Sequence, residues 1–192
     1  ARSRILVESS QVDNFLAAVE KAVKALRVGD PLDASTEMGP LISASHREKV
    51  GSFVTGEGAV AFRGSAPDGP GYWFPPTVLA PMSNTDRASR EEIFGPVACV
   101  IPFDGEEEAI RIANDTEYGL SGSIWTRDGG RALRVARAID TGVLSINSNS
   151  SVRVSTPFGG FKQSGIGREL GPDALDHYTE VKNVFYSTEV ND

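Results

Sequence analysis

Between Val97 and Asn147 the chain alternates short apolar runs with helix-patterned ones. This rhythm restricts the fold more than any other feature. Val97–Phe103, Ser121–Thr126 and Val143–Asn147 read as strands, and Glu106–Ala113 and Gly130–Ile139 as helices. Glu106, Glu107 and Glu108 place acids in a first helical turn, where the helix dipole favours them. A helix between successive strands is long enough to return the chain to the same end of a sheet. The pattern therefore predicts an α/β fold, a parallel sheet with helices on both faces.

The N-terminal half is less regular. Ile5–Val7 is a strand candidate, and Phe15, Leu16, Val19, Val23 and Leu26 follow at helical spacing, predicting a helix over Gln11–Arg27 that Gly29-Asp30-Pro31 stops. Ser45-His46-Arg47-Glu48 has capping-box spacing and predicts a second helix through about Phe53. Ala59–Phe62 reads as a strand and Gly64–Pro76 as an irregular excursion. Past Asn147, Ser148–Gly167 is a long polar stretch, and loops of that length are usually functional or disordered. A short helix near Asp173–His177 and a strand over Val181–Ser187 complete the reading. No internal repeat or linker interrupts it.

At 192 residues the chain can bury a real core. Its formal charge of −7 argues against a nucleic-acid partner, which would call for a basic face. No apolar run approaches the ~20 residues of a membrane helix, and Glu8 and Asp13 interrupt the N-terminal pattern, so neither a membrane span nor a signal peptide is predicted. With one cysteine, Cys99, no internal disulfide can form, which points to a reducing cytoplasmic location. Cys99 lies in the apolar run Val97-Ala98-Cys99-Val100-Ile101, away from anything that would lower its pKa, and is predicted to be a core thiol. His46 and His177 are too scattered to predict a metal site.

Two runs carry the chemistry: Arg90-Glu91-Glu92-Ile93-Phe94-Gly95-Pro96-Val97, and Pro157-Phe158-Gly159-Gly160-Phe161-Lys162-Gln163-Ser164-Gly165-Ile166-Gly167-Arg168-Glu169. By local pattern alone, Ser89-Arg90-Glu91-Glu92 fits a capping box, which would occupy Glu92 with a backbone amide. The glycines of the second run do not make a G-x-G-x-x-G fingerprint or a P-loop, because the third Gly falls one residue late and Gly-Lys-Ser/Thr is missing. Together and in this order, the two runs resemble the aldehyde dehydrogenase superfamily, from Ala1 to the strand around Val181–Ser187. In that family the nucleophilic cysteine precedes an Ala-x-Ser-Arg segment, and this chain begins Ala1-Arg2-Ser3-Arg4. It therefore reads as a C-terminal part starting just after the nucleophile.

The resemblance implies an enzyme that oxidises an aldehyde to a carboxylic acid with NAD or NADP, through a cysteine thiohemiacetal and thioester. It assigns no catalytic residue to this chain. It implies that Glu92 accepts hydrogen bonds from the nicotinamide ribose and that Phe94 lies beside the nicotinamide. It places His46 and Lys49 near the adenosine side. It lines the aldehyde tunnel with the loop holding Ser150, Val152 and Phe158; that loop has small residues where some members carry aromatics, so a cage for trimethylammonium aldehydes is not evident. Arg168 orders the neighbouring region, and Glu180 lies near a subunit interface. Residues 1–180 would be part of the catalytic domain and 181–192 an oligomerisation strand and tail, serving a dimer or tetramer. A non-catalytic fragment or assembly module with the same fold is the alternative.

Overall fold

The computed structural model describes residues 3–54 and 60–188. Ala1 and Arg2 of the opening motif, Ala59 of the expected strand and 189–192 of the expected tail lie outside the described residues. The chain divides into two compact units, one of Ala1–Thr116 with Leu133–Asp140 and one of Glu117–Ala132 with Thr141–Asp192.

The first unit is built on a four-stranded sheet. Its strands are β1 (Arg4–Glu8), β2 (Val60–Arg63), β3 (Thr77–Leu79) and β4 (Val97–Phe103), in the order β1-β4-β3-β2. β1 and β3 both run parallel to β4, while β2 joins β3 antiparallel. The sheet is thus mixed at one edge. Only the Gly64–Pro76 excursion separates β2 from β3, and no crossover helix turns the chain round between them.

Side chains of β4 alternate between two apolar clusters, as successive strand residues must. Val97, Cys99 and Ile101 enter one cluster with Val50, Phe53, Leu79, Ile93 and Ile112. These bring in α2 (Ala44–Ser52) and α4 (Glu106–Asn114). Val100 points the other way, with Val7, Val78 and Ala80, and is covered by Val12, Phe15, Leu16, Val19 and Val23 of α1 (Val12–Ala25). Both faces of this sheet are therefore covered by helices, which is why β4 is a continuous apolar run and not an alternating one.

Local boundaries shift where capping decides them. α1 ends at Ala25, before the glycine, because Leu26 already turns extended at φ −65° and ψ 126°. α2 opens two residues earlier than the Ser45 box predicts. Ser43, extended at φ −156° and ψ 165°, is the cap, and its Oγ accepts from His46 N at 3.1 Å, leaving Ser45 inside the helix. β3 was not foreseen, since three wholly buried residues show no periodicity.

In the second unit β6 (Ser121–Ile124) and β7 (Val143–Ile146) pair parallel with each other. β5 (Tyr118–Gly119) and β8 (Phe161–Lys162) pair antiparallel, so the long polar stretch is tied down by a short ladder. Helix α5 runs over Gly129–Ala138 and belongs to the second unit only as far as Ala132, and a 3₁₀ turn over Pro172–His177 replaces the expected short helix. The strand expected at Val181–Ser187 is not formed: residues 181–188 have no regular secondary structure. A strand exists only by pairing, and apolar alternation supplies no partner. No helix among the described residues is long and apolar enough to cross a membrane.

Leu79 is fully buried where β3 meets the α2 side of the sheet. Leu79→Ala is expected to destabilise the fold by roughly 2–5 kcal/mol through lost transfer energy and a residual cavity. Equilibrium urea unfolding with an unchanged m-value would report it.

Candidate functional site

The Glu92 segment sits between a one-turn helix and β4. Asp86 stands at the N-cap position of α3 (Arg87–Arg90) without bonding a helix amide through its side chain, whose Oδ2 accepts instead from Ser83 N at 2.7 Å. Ser89 is the third residue of this helix and not its cap, so the capping-box reading of Glu92 fails. The chain leaves α3 extended at Glu91, and Ile93 plugs into the core at 1% exposure. The two glutamates on either side of this turn are treated differently. Glu91 pairs with Arg87, Oε1 accepting from Nε at 3.0 Å, and the Arg87 guanidinium lies 4.0 Å over the Phe53 ring. Glu92 is exposed and, among the described residues, has no hydrogen bond or ion pair.

Phe94 is 69% exposed, and its φ is +56°. A bulky residue in the left-handed region is strained by about 1–3 kcal/mol and persists only where its surroundings hold it. His46 supplies that hold. Its Nε2 lies 2.9 Å from Phe94 O, and because a carbonyl only accepts, Nε2 carries the proton. The two rings are 6.4 Å apart and tilted by 48°. Gly95 follows where a Cβ would stand 2.6 Å from a methyl of the buried Val50, so this residue has no room for a side chain. His46, Glu92 and Phe94 thus belong to one local assembly. His46 reaches it through a main-chain carbonyl. Lys49 shares α2 and is exposed.

Sequence reasoning missed a set of polar residues around this loop. Arg90, the last residue of α3, donates through Nη1 and Nη2 to the Asp115 carboxylate at 3.0 and 2.9 Å, and through Nη1 to Asp115 O at 2.8 Å. The Arg90 N–H groups hold the Asp115 carboxyl below the usual carboxylate range. Asn84 and Arg4 join from the other side. The adjacency of Arg90 to Glu91-Glu92 was the one available signal; Asn84 and Asp115 lie far away in sequence.

In the second unit Phe158 pairs through its backbone with Glu169, at 2.7 and 2.8 Å, which closes the 159–168 loop. Ser150 and Val152 are exposed on the 148–157 stretch before Phe158. Ser150 Oγ accepts from Arg153 Nη1 at 2.9 Å, which turns that guanidinium onto its own loop. Arg168 Nη1 donates to Gly160 O at 2.9 Å and Gly167 O at 2.6 Å, and its guanidinium lies 5.2 Å from the Phe161 ring. Glu180 is exposed. A cavity of about 510 Å³ is lined by Trp125, Thr126, Ile146 and Asn147 at the ends of β6 and β7.

The Aldehyde dehydrogenase family profile matches residues 1–184. The chain belongs to the aldehyde dehydrogenase family. Geranial dehydrogenase of Castellaniella defragrans is 43% identical over 187 residues, 95% of this chain and 39% of that protein. Betaine aldehyde dehydrogenase of Bacillus subtilis is 43% identical over 197 residues, 98% of this chain and 40% of that protein. The crystal structure of Mycobacterium tuberculosis aldehyde dehydrogenase complexed with NAD+ matches with a TM-score of 0.89 at 41% identity, over 99% of this chain and 40% of that one. The chain spans about two-fifths of the length of the curated relatives it matches.

In a chain of the aldehyde dehydrogenase family, a lone thiol invites scrutiny. Cys99 is fully buried in β4, donating to Ala88 O at 3.4 Å. Burial pushes its pKa up from 9.0 to about 11, against a smaller opposite pull from the Ser89 hydroxyl. A thiol this reluctant to ionise is a poor nucleophile. The folded state holds the proton more tightly than the unfolded one, so this group's stabilisation is full below about pH 9 and is lost as pH rises toward about 11. At pH 8 the folded chain is expected to react with an aromatic disulfide reagent at least ~10-fold more slowly than the denatured chain. Equal rates would place the thiol at the surface.

Proposed function

We propose that this chain is the C-terminal part of an NAD(P)-dependent aldehyde dehydrogenase that oxidises an aldehyde to a carboxylic acid, with Glu92 and Phe94 forming a wall of the nicotinamide site. The observation that carries this reading is the division of labour at Glu91-Glu92. Arg87 takes the first carboxylate, while the second stands exposed and without a partner among the described residues, next to an exposed aromatic held at positive φ.

These residues fit a nicotinamide ribose. A carboxylate is acceptor-only and can take two hydroxyl donors at once. The Phe94 ring offers a flat apolar face, and Gly95 has no side chain to obstruct approach. NAD(P), when bound, would supply the hydride acceptor. Glu92 would fix the ribose, and Phe94 would limit sliding of the ring beside it. His46 would keep Phe94 in place through its carbonyl, and Lys49 would lie toward the adenosine side. Several relatives are described as complexed with NAD+ in their crystal structures, which supports the cofactor assignment.

In this reading the nucleophilic cysteine of the thiohemiacetal and thioester precedes Ala1 in the parent enzyme, and Cys99 stays in the core. Ser150, Val152 and Phe158 would line the aldehyde tunnel, and the 148–157 stretch contains no aromatic residue. Residues 1–180 would complete the catalytic domain, with Arg168 ordering the region near Phe161. Residues 181–192 would pair in a homo-oligomer, a dimer or tetramer, with Glu180 near that interface. The near-complete exposure of Val181, Val184, Phe185 and Tyr186 supports a partner there. A reducing cytoplasm suits the single core thiol.

In the full-length enzyme, Glu92→Gln is expected to slow single-turnover NADH formation more than it weakens NAD+ binding. The amide keeps one acceptor but loses charge-assisted bonds worth roughly 1.5–3 kcal/mol each. The 192-residue chain alone, assayed in parallel, should form no aldehyde-dependent NADH. A normal single-turnover rate in the variant would remove the ribose role, and turnover by the chain alone would remove the assignment of the nucleophile to the missing part.

A further inference from the structure

A continuous polar path runs through the first unit from β1 to the end of α3. Arg4, partly buried in β1, donates from Nη1 to Ile112 O at 3.1 Å and from Nη2 to Ala113 O at 3.1 Å. It thereby satisfies carbonyls in the last turn of α4, which a helix end leaves without partners. Arg4 Nη1 also donates to Asn84 Oδ1 at 2.9 Å. Asn84 Nδ2 passes the contact on, to Asp115 Oδ2 at 2.7 Å and Asp115 O at 3.2 Å. Asp115 also receives the paired Arg90 N–H groups, its Oδ2 accepting from both Asn84 and Arg90. Arg90 lies two residues before Glu92.

Arg4 meets Asn84 through one hydrogen bond, whereas Asp115 is joined at more than one point both to Asn84 and to Arg90. A fork-to-carboxylate pair fixes orientation as well as distance, which a single contact from a lysine would not. Exposed ion pairs of this kind contribute little to stability. The value of the arrangement therefore lies in where it holds things. The charges also read one another: Arg4 is shifted below its usual value first by burial and then by Arg90, while Asp115 offsets this.

We propose that Asp115 is a positioning residue for hydride transfer, which through Arg90 fixes the Glu92–Phe94 loop against the strand that starts at Arg4. The inference rests on the reading of Glu92 and Phe94 as the nicotinamide wall and of the nucleophile as directly preceding Ala1. β1 then leads away from the reacting thiol and α3 leads into the ribose acceptor, and Asp115 is bonded toward both. Hydride transfer needs reacting atoms about 3–3.5 Å apart, and a misplacement of about 1 Å costs on the order of 100-fold. Asp115 touches neither cofactor nor substrate in this scheme.

The test uses the full-length enzyme with Asp115→Ala, Glu92→Gln and the double variant. Asp115→Ala should slow single-turnover hydride transfer by about 10-fold or more while leaving the aldehyde KM within about 2-fold. Amide hydrogen exchange in the folded protein should speed up by about 10-fold at residues 91–95 and stay unchanged in β4. In the Glu92→Gln background the same substitution should add little, because both act on one contact. Should Asp115→Ala not fold, Arg90→Lys keeps the charge, loses the fork, and should give the same pattern at smaller amplitude. A normal single-turnover rate, unchanged exchange at 91–95, or full additivity with Glu92→Gln would each overturn the proposal. A silent Glu92→Gln would remove the ribose role by itself, and Asp115 would then stand or fall on its own rate and exchange data.

Discussion

The burial of β4 on both faces is the constraint from which the candidate cofactor site inherits its geometry. Val97, Cys99 and Ile101 fill one core while Val100 fills the other, so a slip by one residue would send each set into a core packed for the other. β1 and β3 take their register from it: Arg4 stands opposite Cys99, and Thr77 opposite Val97. The Glu92–Phe94 loop ends where β4 begins. Ile93 is sunk in the same core as Val97, which leaves the loop little freedom to move away from the sheet.

On that fixed base the chain tolerates local cost. Phe94 adopts a backbone conformation suited to glycine and turns a large ring to solvent. Both features oppose stability in isolation. They persist because His46 grips the Phe94 carbonyl and because Val50, one turn along the same helix, packs against Gly95. One helix thus supports the loop by a hydrogen bond and by steric contact. Exposed strain on a rigid scaffold is the pattern of a surface kept ready for a ligand.

The alternating elements from Val97 to Ile146 were legible in the sequence because the apolar strand β4 and the amphipathic helices α4 and α5 set the rhythm, within which the small, less apolar β6 could be placed. Other features were not. β3 is three residues long and gives no pattern; β5 and β8 have two residues each, too few to rise above the surrounding turns. The choice of Ser43 over Ser45 as the cap of α2 turned on backbone dihedrals that composition does not carry. Val181–Ser187 had the right alternation for a strand, yet alternation describes a chain ready to pair and not the neighbour it needs. Among candidate site residues, Glu92 and Phe94 stood out by the Arg90–Val97 run and His46 by the family resemblance, whereas Asn84 and Asp115 were invisible because each gains its meaning from residues at large sequence separation.

The sequence by itself determined the family, the two-faced burial of β4, the core placement of Cys99 and the residues to examine in the Arg90–Val97 run. These are encoded locally, by residue type and period, and need no knowledge of distant neighbours. Only the tertiary structure decided which glutamate is taken by an arginine and which is left open, and that His46 meets Phe94 through the main chain. It alone joined Arg4, Asn84, Arg90 and Asp115 into one path. Those outcomes depend on the sheet bringing segments about 80 to 110 residues apart within hydrogen-bond reach, as in the Arg4 contacts to Asn84 and Ala113. Hydrogen-bond geometry discriminates at a few tenths of an ångström, far finer than any pattern in the order of residues can specify.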